Sequence, residues 1–210
     1  PELIKAIVEG RKTVTRRLIK PEPSCKCEKP DWHGEVIDWI GYKHEGKTGY
    51  FCYKCGSGLQ KIDEWSSHGI LPRYEVGEVV YIKEAWATEN RYNHLKPREV
   101  PRIAKIFYLL DGYDPFRMGK VRSPLFTMEW MARDFIRITD VRPERLWEIT
   151  IEDCKAEGIH GYTFARGCCA DNPPDPRWKY IELWDSINPK YPWSGNWWVW
   201  VYTFQKVDKP

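Results

Sequence analysis

The sequence predicts an α+β fold in which strands predominate, and three observations support that class. Runs of β-branched and aromatic residues recur along the chain, as is typical of strands. Shorter segments between them carry apolar residues three and four positions apart, which indicates helices. The closing run, residues 197–207, is apolar on both alternating faces, so it belongs inside a sheet or a barrel. We therefore expect one α+β domain over residues 1–210.

The first half of the chain predicts a helix, an insertion and two strands. Apolar residues follow helical spacing up to Gly10, which ends the first helix. Residues 21–70 are rich in Cys, Gly and Lys without sustained periodicity, which indicates an inserted module. Residues 74–86 combine a turn with a β-branched and aromatic run, and residues 103–110 form a second such run. Both runs are predicted strands.

The second half of the chain predicts a strand, two helices and the closing strand. Residues 135–141 form the third strand. Residues 151–157 lie between a capping-box pattern and a glycine stop, so they form a short helix. Residues 176–187 carry Trp and Ile side chains at three- and four-residue spacing, which indicates a second helix.

Composition and charge limit the classes of function. The chain has 210 residues, of which 42% are hydrophobic and 30% charged, as in folded domains. A formal net charge of +3 is too small to establish a polyanion partner. No run approaches the roughly 20 apolar residues of a membrane helix, and no signal-peptide core is present, so we expect a cytoplasmic protein without a membrane partner. No feature identifies a protein partner. The chain opens at Pro1 without Met, which suggests a fragment or a processed chain.

Four of the seven cysteines form two tight pairs, Cys25 with Cys27 and Cys52 with Cys55. This spacing is typical of tetrahedral zinc, in which each of two knuckles provides two thiolates. A zinc ion held by four thiolates is structural, because no ligand position is left open for water. Such an ion would fold an insertion that is too poor in apolar residues to fold alone. Reduced surface thiols and a redox pair are the alternatives.

The segment from Gly10 to Arg17 concentrates cations and hydroxyl groups. In an extended segment Lys12 and Arg16 share one face, while Thr15 and Arg17 lie on the other, although a curved backbone could bring Lys12 and Thr15 together. The segment is a candidate cleft lining for a nucleotide or nucleic acid. A solvated basic strand edge is the alternative.

The pattern Gly10-x-Lys12-x-x-Thr15-x-Arg17 resembles the G-x-K-x-x-E-x-R signature of the ASCH superfamily, small β-barrel domains related to PUA domains. Further segments resemble family motifs in the same order: residues 72–86, residues 135–149, and residues 183–188 with 198–204 as the closing helix and strand. The arrangement is similar to ASCH proteins common in phages and prophages. The resemblance covers most of the chain outside the insertion. It implies a PUA-like mixed β-barrel with short flanking helices, interrupted by the zinc knuckle.

One departure from that signature is informative. At its acidic position this chain carries Thr15, which is similar to the ASCH amidohydrolases that deacetylate N4-acetylcytidine. Their motif K-T-x-T-x-R matches Lys12 to Arg17, and a later helical motif places a third residue at Glu157. The resemblance implies Thr15 as nucleophile, Lys12 as base and Glu157 as support. A Thr hydroxyl needs such a base, and burial or neighbouring cations lower the pKa of a Lys toward that role.

Three functions compete at this stage. The first is an amidohydrolase acting on an acylated cytidine or a related modified nucleobase. The second is a module that binds RNA, DNA or a modified base without hydrolysis. The third, a ribonuclease, is weakened because no clear pair of histidines lies near the motif. Substrate or nucleic-acid contacts are expected from five residues: Arg11, Arg16, Arg17, Glu84 and Trp86.

Overall fold

The computed structural model of the protein describes residues 2–20, 32–36, 48–52, 60–61, 67–68, 70–159 and 175–210. Both helices and strands occur in these residues, which confirms the α+β class. None of the helices in the described residues has the length and apolar character that a membrane crossing requires.

The described helices and strands alternate along the chain. The α-helices are α1 (Glu2–Val8), α2 (Ile151–Ala156) and α3 (Arg177–Ile187). The strands are β1 (Val14–Leu18), β2 (Trp32–Val36), β3 (Thr48–Cys52), β4 (Gln60–Lys61), β5 (Ser67–His68), β6 (Val79–Tyr81), β7 (Trp86–Ala87), β8 (Phe107–Tyr108), β9 (Phe135–Arg145) and β10 (Trp198–Val207). Short 3-10 turns lie between several of them.

The largest described sheet has four strands in the order β1-β10-β9-β6. Strand β1 pairs antiparallel with β10, which places Thr15 opposite Tyr202. Strand β6 pairs antiparallel with β9, which places Val80 opposite Ile136. Three two-stranded pairs complete the described strands: β2 with β3, β4 with β5, and β7 with β8.

The chain divides into two compact units. The first unit comprises Pro1–Arg11, Val79–Arg137 and Gln205–Pro210. The second unit comprises Lys12–Glu78 and Ile138–Phe204. Each unit has a hydrophobic core built from its own residues.

Strand β10 builds the core of the second unit. Val199 and Val201 are fully buried there, with Leu146, Tyr180 and Trp184 among the side chains of the same cluster. Burial on both faces is what the apolar pattern of residues 197–207 predicted. Because each fully buried aliphatic side chain contributes about 1.5 to 3 kcal/mol, this strand is a main source of stability in its unit.

Trp86 is central to the core of the first unit. Its side chain is fully buried and clusters with Val100, Ala104 and Met131. The Arg122 guanidinium lies 5.2 Å from the centre of the indole ring. Both Arg122 Nη atoms donate hydrogen bonds to loop carbonyls, so this buried cation fastens the loop at residues 92–95.

Two predicted strands are shorter in the structure than the sequence suggested. The prediction for residues 103–110 is wrong over its first half, because the Ala104 amide donates to the Pro101 carbonyl in a turn that leaves Ile103 88% exposed. Only Phe107–Tyr108 is extended. The prediction for residues 74–86 is likewise too long, since strand structure there is confined to β6 and the start of β7.

Candidate active site

The chain segment before β1 lies against the C-terminal end of α2. A capping box between Thr150 and Asp153 begins that helix, as its sequence predicted, and Gly158 follows its end with a φ of 86°. The Thr13 amide donates to the Ala156 carbonyl at 2.7 Å. An isolated antiparallel bridge joins Lys12 to Glu157, so the backbone places these two side chains together.

Lys12 and Glu157 form a buried ion pair. Both side chains are only 6% exposed, and the Lys12 ammonium donates to Glu157 Oε2. It also donates to the Val14 carbonyl at 2.8 Å and to the Glu157 carbonyl at 3.1 Å. All three N–H groups of the ammonium therefore have an acceptor.

The surroundings of Lys12 shift the pKa of its amine in both directions, and the net shift is downward. Burial has the largest effect and lowers the pKa of Lys12, whereas the charge and hydrogen bond of Glu157 raise it. The positive charges of Arg17 and Arg16 lower it further. The net result is a pKa below the ordinary value of 10.5. A lowered pKa favours the role of a general base, because the base acts as the neutral amine.

Arg16 occupies the same buried cluster. Its side chain has no exposed surface, and Nη2 donates to Asp153 Oδ2 at 2.9 Å and to Glu144 Oε2 at 3.2 Å. Burial raises the pKa of Asp153, but hydrogen bonds from Thr150 and the charge of Arg16 outweigh it, so the pKa lies below its ordinary value. Arg16 is thus held by carboxylates of the protein, in a position that does not expose it to phosphate.

The hydrogen bonding of the cluster is incomplete. Arg16 Nη1 lies 3.6 Å from Glu157 Oε1. Within the described part of the chain, both atoms are buried without a hydrogen-bond partner, and so is Arg16 Nε. Buried polar atoms in folded proteins are nearly always paired. The two atoms have opposite charge, so they attract each other at 3.6 Å without forming a hydrogen bond.

Thr15 lies beside this pair without joining it. Strand β1 alternates in burial, with Val14 and Arg16 buried, Thr15 half-buried and Arg17 exposed. This alternation puts Thr15 on the other face of the strand from Arg16. No hydrogen bond among the described residues joins the Thr15 hydroxyl to Lys12 or Glu157. The structure therefore brings together two of the three predicted catalytic residues.

The remaining predicted contact residues have different surroundings. Arg17 is exposed, and Arg11 is tied to the Glu9 carboxylate in the first unit. Trp86 has no exposed surface in the core of that unit, so its ring is a packing element and presents no face for stacking. Glu84, also in the first unit, is 1% exposed and accepts hydrogen bonds from an arginine. The predicted binding roles of Glu84 and Trp86 thus gain no support from their positions.

The buried Glu84 carboxylate is the centre of a second ionic cluster, within the first unit. Arg133 Nε donates to Oε1 at 3.0 Å and Nη2 donates to Oε2 at 2.9 Å. Arg133 Nη1 donates to Asp111 at 2.7 Å, and the guanidinium lies 4.2 Å from the centre of the Tyr108 ring. Both carboxylate oxygens of Glu84 are therefore satisfied by one bidentate partner.

The zinc prediction lies largely outside the described residues. Cys25, Cys27 and Cys55 are not among them, and of Cys52 the structure gives only the backbone at the end of β3. Among the described residues there is no group of three or more side chains that could hold a metal ion. The four-thiolate site remains a prediction from spacing.

Comparisons with protein-family models, with curated proteins and with solved structures found no match to this chain. The resemblance to the ASCH superfamily therefore rests on the sequence motifs alone.

The sequence did not identify every member of the Arg16 cluster. The capping-box pattern accounts for Asp153 as a helix cap, which the structure confirms, but Asp153 also binds Arg16. Glu144 had no signal at all, because it follows Pro143 in a charged run where any carboxylate could face solvent. A paired spacing could have indicated the arrangement. Asp153 and Glu157 lie four residues apart on one helix, as Lys12 and Arg16 do on the extended segment.

Proposed function

We propose that the protein is an amidohydrolase that removes the acyl group from an acylated cytidine or a related modified nucleobase. One observation carries this proposal. Lys12 and Glu157 are 145 residues apart in the sequence, yet they meet in one buried ion pair. The resemblance to the N4-acetylcytidine deacetylases gives these two residues joint roles, and burial lowers the pKa of the Lys12 amine as a base requires.

In the proposed reaction the Thr15 oxygen attacks the carbonyl carbon of the exocyclic amide, and its proton passes to the neutral Lys12 amine. The carbon–nitrogen bond then breaks, and Lys12 returns the proton to the departing nucleobase nitrogen. Water hydrolyses the ester left on Thr15, which releases the carboxylic acid and restores the hydroxyl group. Glu157 orients the amine throughout.

The position of Lys12 relative to the chain favours Thr15 as its partner in this reaction. Its Nζ already donates to the Val14 carbonyl at 2.8 Å, and that carbonyl belongs to the peptide group joining Val14 to Thr15. Because the Thr15 side chain lies on the other face of β1, the reaction requires Thr15 and Lys12 to approach each other when substrate binds. Catalytic hydrogen bonds often tighten only when substrate is bound.

Release of cytidine and acetate from N4-acetylcytidine tests this function. We expect wild-type protein to release both products and Thr15→Ala to lose that activity. Thr13→Ala is the matched control, because Thr13 is also half-buried and lies two residues away on the same face. Wild-type protein that releases no product from any acylated nucleoside would refute the proposed function, and equal activity in Thr15→Ala would refute the role of Thr15.

A second candidate function, nucleic-acid binding without hydrolysis, is favoured by a surface loop of the first unit. Phe116 is 93% exposed on the turn that begins at Asp114, beside Arg117. The Lys120 amide fastens the same loop to Asn93 at 2.7 Å. Neither cation forms an ion pair within the described part of the chain. Exposed rings next to free cations are typical of surfaces that bind single strands.

Salt-dependent binding of a single-stranded oligonucleotide tests this second candidate. Fluorescence anisotropy should show an affinity that falls with added salt and falls further in an Arg117→Ala, Lys120→Ala double variant. Arg91→Ala is the matched control, because Arg91 is already paired with Glu89 in the same unit. An affinity that is independent of salt, or is equal in the double variant and the control, would exclude this surface.

A further inference from the structure

Arg16 lies between two carboxylates of one helix. Asp153, in the first turn of α2, accepts a hydrogen bond from Nη2 at 2.9 Å. Glu157, which caps the other end of that helix, has Oε1 at 3.6 Å from Nη1. Glu144 on β9 accepts a further hydrogen bond from Nη2 at 3.2 Å. The guanidinium is fixed at one side and faces Glu157 with its other amino group.

Two cations therefore share the Glu157 carboxylate. Its Oε2 accepts from Lys12, while Oε1 faces Arg16 and has no hydrogen-bond partner in the described residues. A charged nitrogen–oxygen hydrogen bond is about 2.7 to 2.9 Å long, so the 3.6 Å gap to Arg16 closes with a shift of less than about 1 Å. Such a shift would strengthen the contact of Glu157 with Arg16, so Arg16 competes with Lys12 for the same carboxylate.

We propose that Arg16 is a positioning residue that acts on Lys12 through Glu157. Its guanidinium, held in place by Asp153 and Glu144, attracts one oxygen of the Glu157 carboxylate. This attraction weakens the interaction of Glu157 with the Lys12 amine. This role rests on the proposed function only in that Lys12 is the base there. The sharing of Glu157 itself is a property of the folded chain.

The charged groups around the Lys12–Glu157 pair determine whether a substitution raises or lowers the pKa of Lys12. Besides burial and Glu157, the positive charges of Arg17 and Arg16 affect this pKa, and both lower it. On α2, Asp153 partly neutralises Arg16, as does Glu144 on β9, which is itself held by Arg142 at 2.6 Å. From α3, Tyr180 packs nearby, and burial, followed by the charge of Glu157, raises its pKa, so that it stays neutral.

Opposite charge changes next to Arg16 should move the titration of Lys12 in opposite directions. Arg16→Gln removes a cation that competes for Glu157, which favours the charged amine and raises the pKa of Lys12. Asp153→Asn removes the anion that balances Arg16, which disfavours the charged amine and lowers that pKa. Loss of packing or of stability alone has no reason to produce opposite signs.

The experiment is an NMR titration of the Lys12 side chain, with the resonance assigned through Lys12→Arg. We expect Arg16→Gln to raise the titration midpoint by about one pH unit, and Asp153→Asn to lower it. Arg16→Lys, which retains the cation, should stay nearest to wild type. Thr150→Ala is the matched control, since it weakens the same helix cap without changing any charge, and its midpoint should equal that of wild type.

Two results would overturn this role of Arg16. One is an unchanged Lys12 midpoint in Arg16→Gln protein whose circular dichroism is native. The other is a shift of the same sign in Arg16→Gln and Asp153→Asn. If Arg16→Gln does not fold, equal midpoints in Asp153→Asn and Thr150→Ala overturn the proposal, and a lower one in Asp153→Asn supports it. If the midpoints move as expected while wild type leaves N4-acetylcytidine intact, the proposed function fails and the sharing of Glu157 stands.

Discussion

Each of the two units buries a carboxylate against a cation, but the two pairs differ in how completely they are hydrogen-bonded. In the first unit, both oxygens of Glu84 accept hydrogen bonds from one guanidinium, Arg133. In the second unit, Glu157 accepts from Lys12 through one oxygen, and the other faces Arg16 at 3.6 Å without a hydrogen bond among the described residues. The carboxylate of the first pair is fully hydrogen-bonded, whereas that of the second pair has one oxygen that can still accept a hydrogen bond.

The chemistry of the two cations follows the same division. Burial lowers the pKa of Arg133, but its hydrogen bonds to Glu84 and Asp111 raise that pKa by more. Arg133 therefore stays charged at every working pH. Lys12 titrates, and burial lowers its pKa. A permanently charged, bidentate pair fixes a conformation, whereas a titratable pair with an unsatisfied oxygen can exchange a proton. We therefore propose a structural role for the Glu84 pair and a catalytic role for the Lys12 pair.

The largest expected effect is the loss of activity on replacing Lys12. Lys12→Met retains the length of the side chain but removes the amine, so release of cytidine from N4-acetylcytidine should fall by about 10³-fold, as for loss of a general base. The variant also leaves the buried Glu157 with Arg16, at 3.6 Å, as its remaining cation, and should destabilise the fold by about 3 kcal/mol. Product release under saturating substrate and unfolding by denaturant measure the two effects.

The double variant Lys12→Met, Glu157→Gln separates those effects. Because the charge of Glu157 is also removed, the double variant should recover most of the stability that Lys12→Met loses, while the activity stays lost. Recovery of activity together with stability would show that Lys12 contributes to folding alone, and the contrast between the two units would then disappear.

The next largest effect concerns the first unit. Glu84→Ala removes the bidentate partner of Arg133, which is 31% exposed and keeps its bond to Asp111, so the free energy of unfolding should fall by about 1.5 to 3 kcal/mol. Arg91→Ala in the same unit removes an exposed pair and should change stability by less than about 1 kcal/mol. Denaturation by urea measures both variants. Equal losses in the two would mean that burial of the Glu84 pair adds nothing to its strength.

The contrast between the two pairs was only partly accessible from the sequence. Strand β10 was predictable because its apolar residues alternate on both faces, and burial of both faces follows from that pattern alone. The strand prediction at Ile103 was wrong because a β-branched residue is typical of a strand start, although here it lies in the turn that follows Pro101. Turn geometry depends on a single hydrogen bond, which periodicity does not reveal.

The contact between Lys12 and Glu157 came from the resemblance to known motifs, since no local rule links residues so far apart. The burial of Arg16 was not predictable, because a cation in a basic segment is more often exposed. It is buried here because Glu144 and Asp153, which lie on different elements, meet it. The same limit explains why Trp86 was expected at a binding surface and lies in a core.

A smaller effect is the pH dependence of stability. Because burial lowers the pKa of folded Lys12, the folded protein binds fewer protons than the unfolded chain between that lowered value and the ordinary 10.5. The stability of wild type relative to Lys12→Met should therefore rise as the pH increases through this window. Denaturation at several alkaline pH values measures the difference. A difference that falls with rising pH would mean that Glu157 raises the pKa of Lys12 by more than burial lowers it.

The smallest expected effect is that of the helix cap which links Arg16 to α2. Thr150→Ala removes the hydrogen bond from the Asp153 amide to the Thr150 hydroxyl, at 3.0 Å, and should lower stability by about 1 kcal/mol. Asp153→Asn should cost more, because Asp153 also binds Arg16 with a carboxylate whose pKa is below its ordinary value. That additional stability is present above the pKa of an unfolded Asp, about 3.9, and is lost as the pH falls through the lower folded value. Urea denaturation of the two variants at neutral and acidic pH should therefore show their difference shrinking in acid. A constant difference would remove Asp153 from the charge balance around Arg16 and leave it a helix cap only.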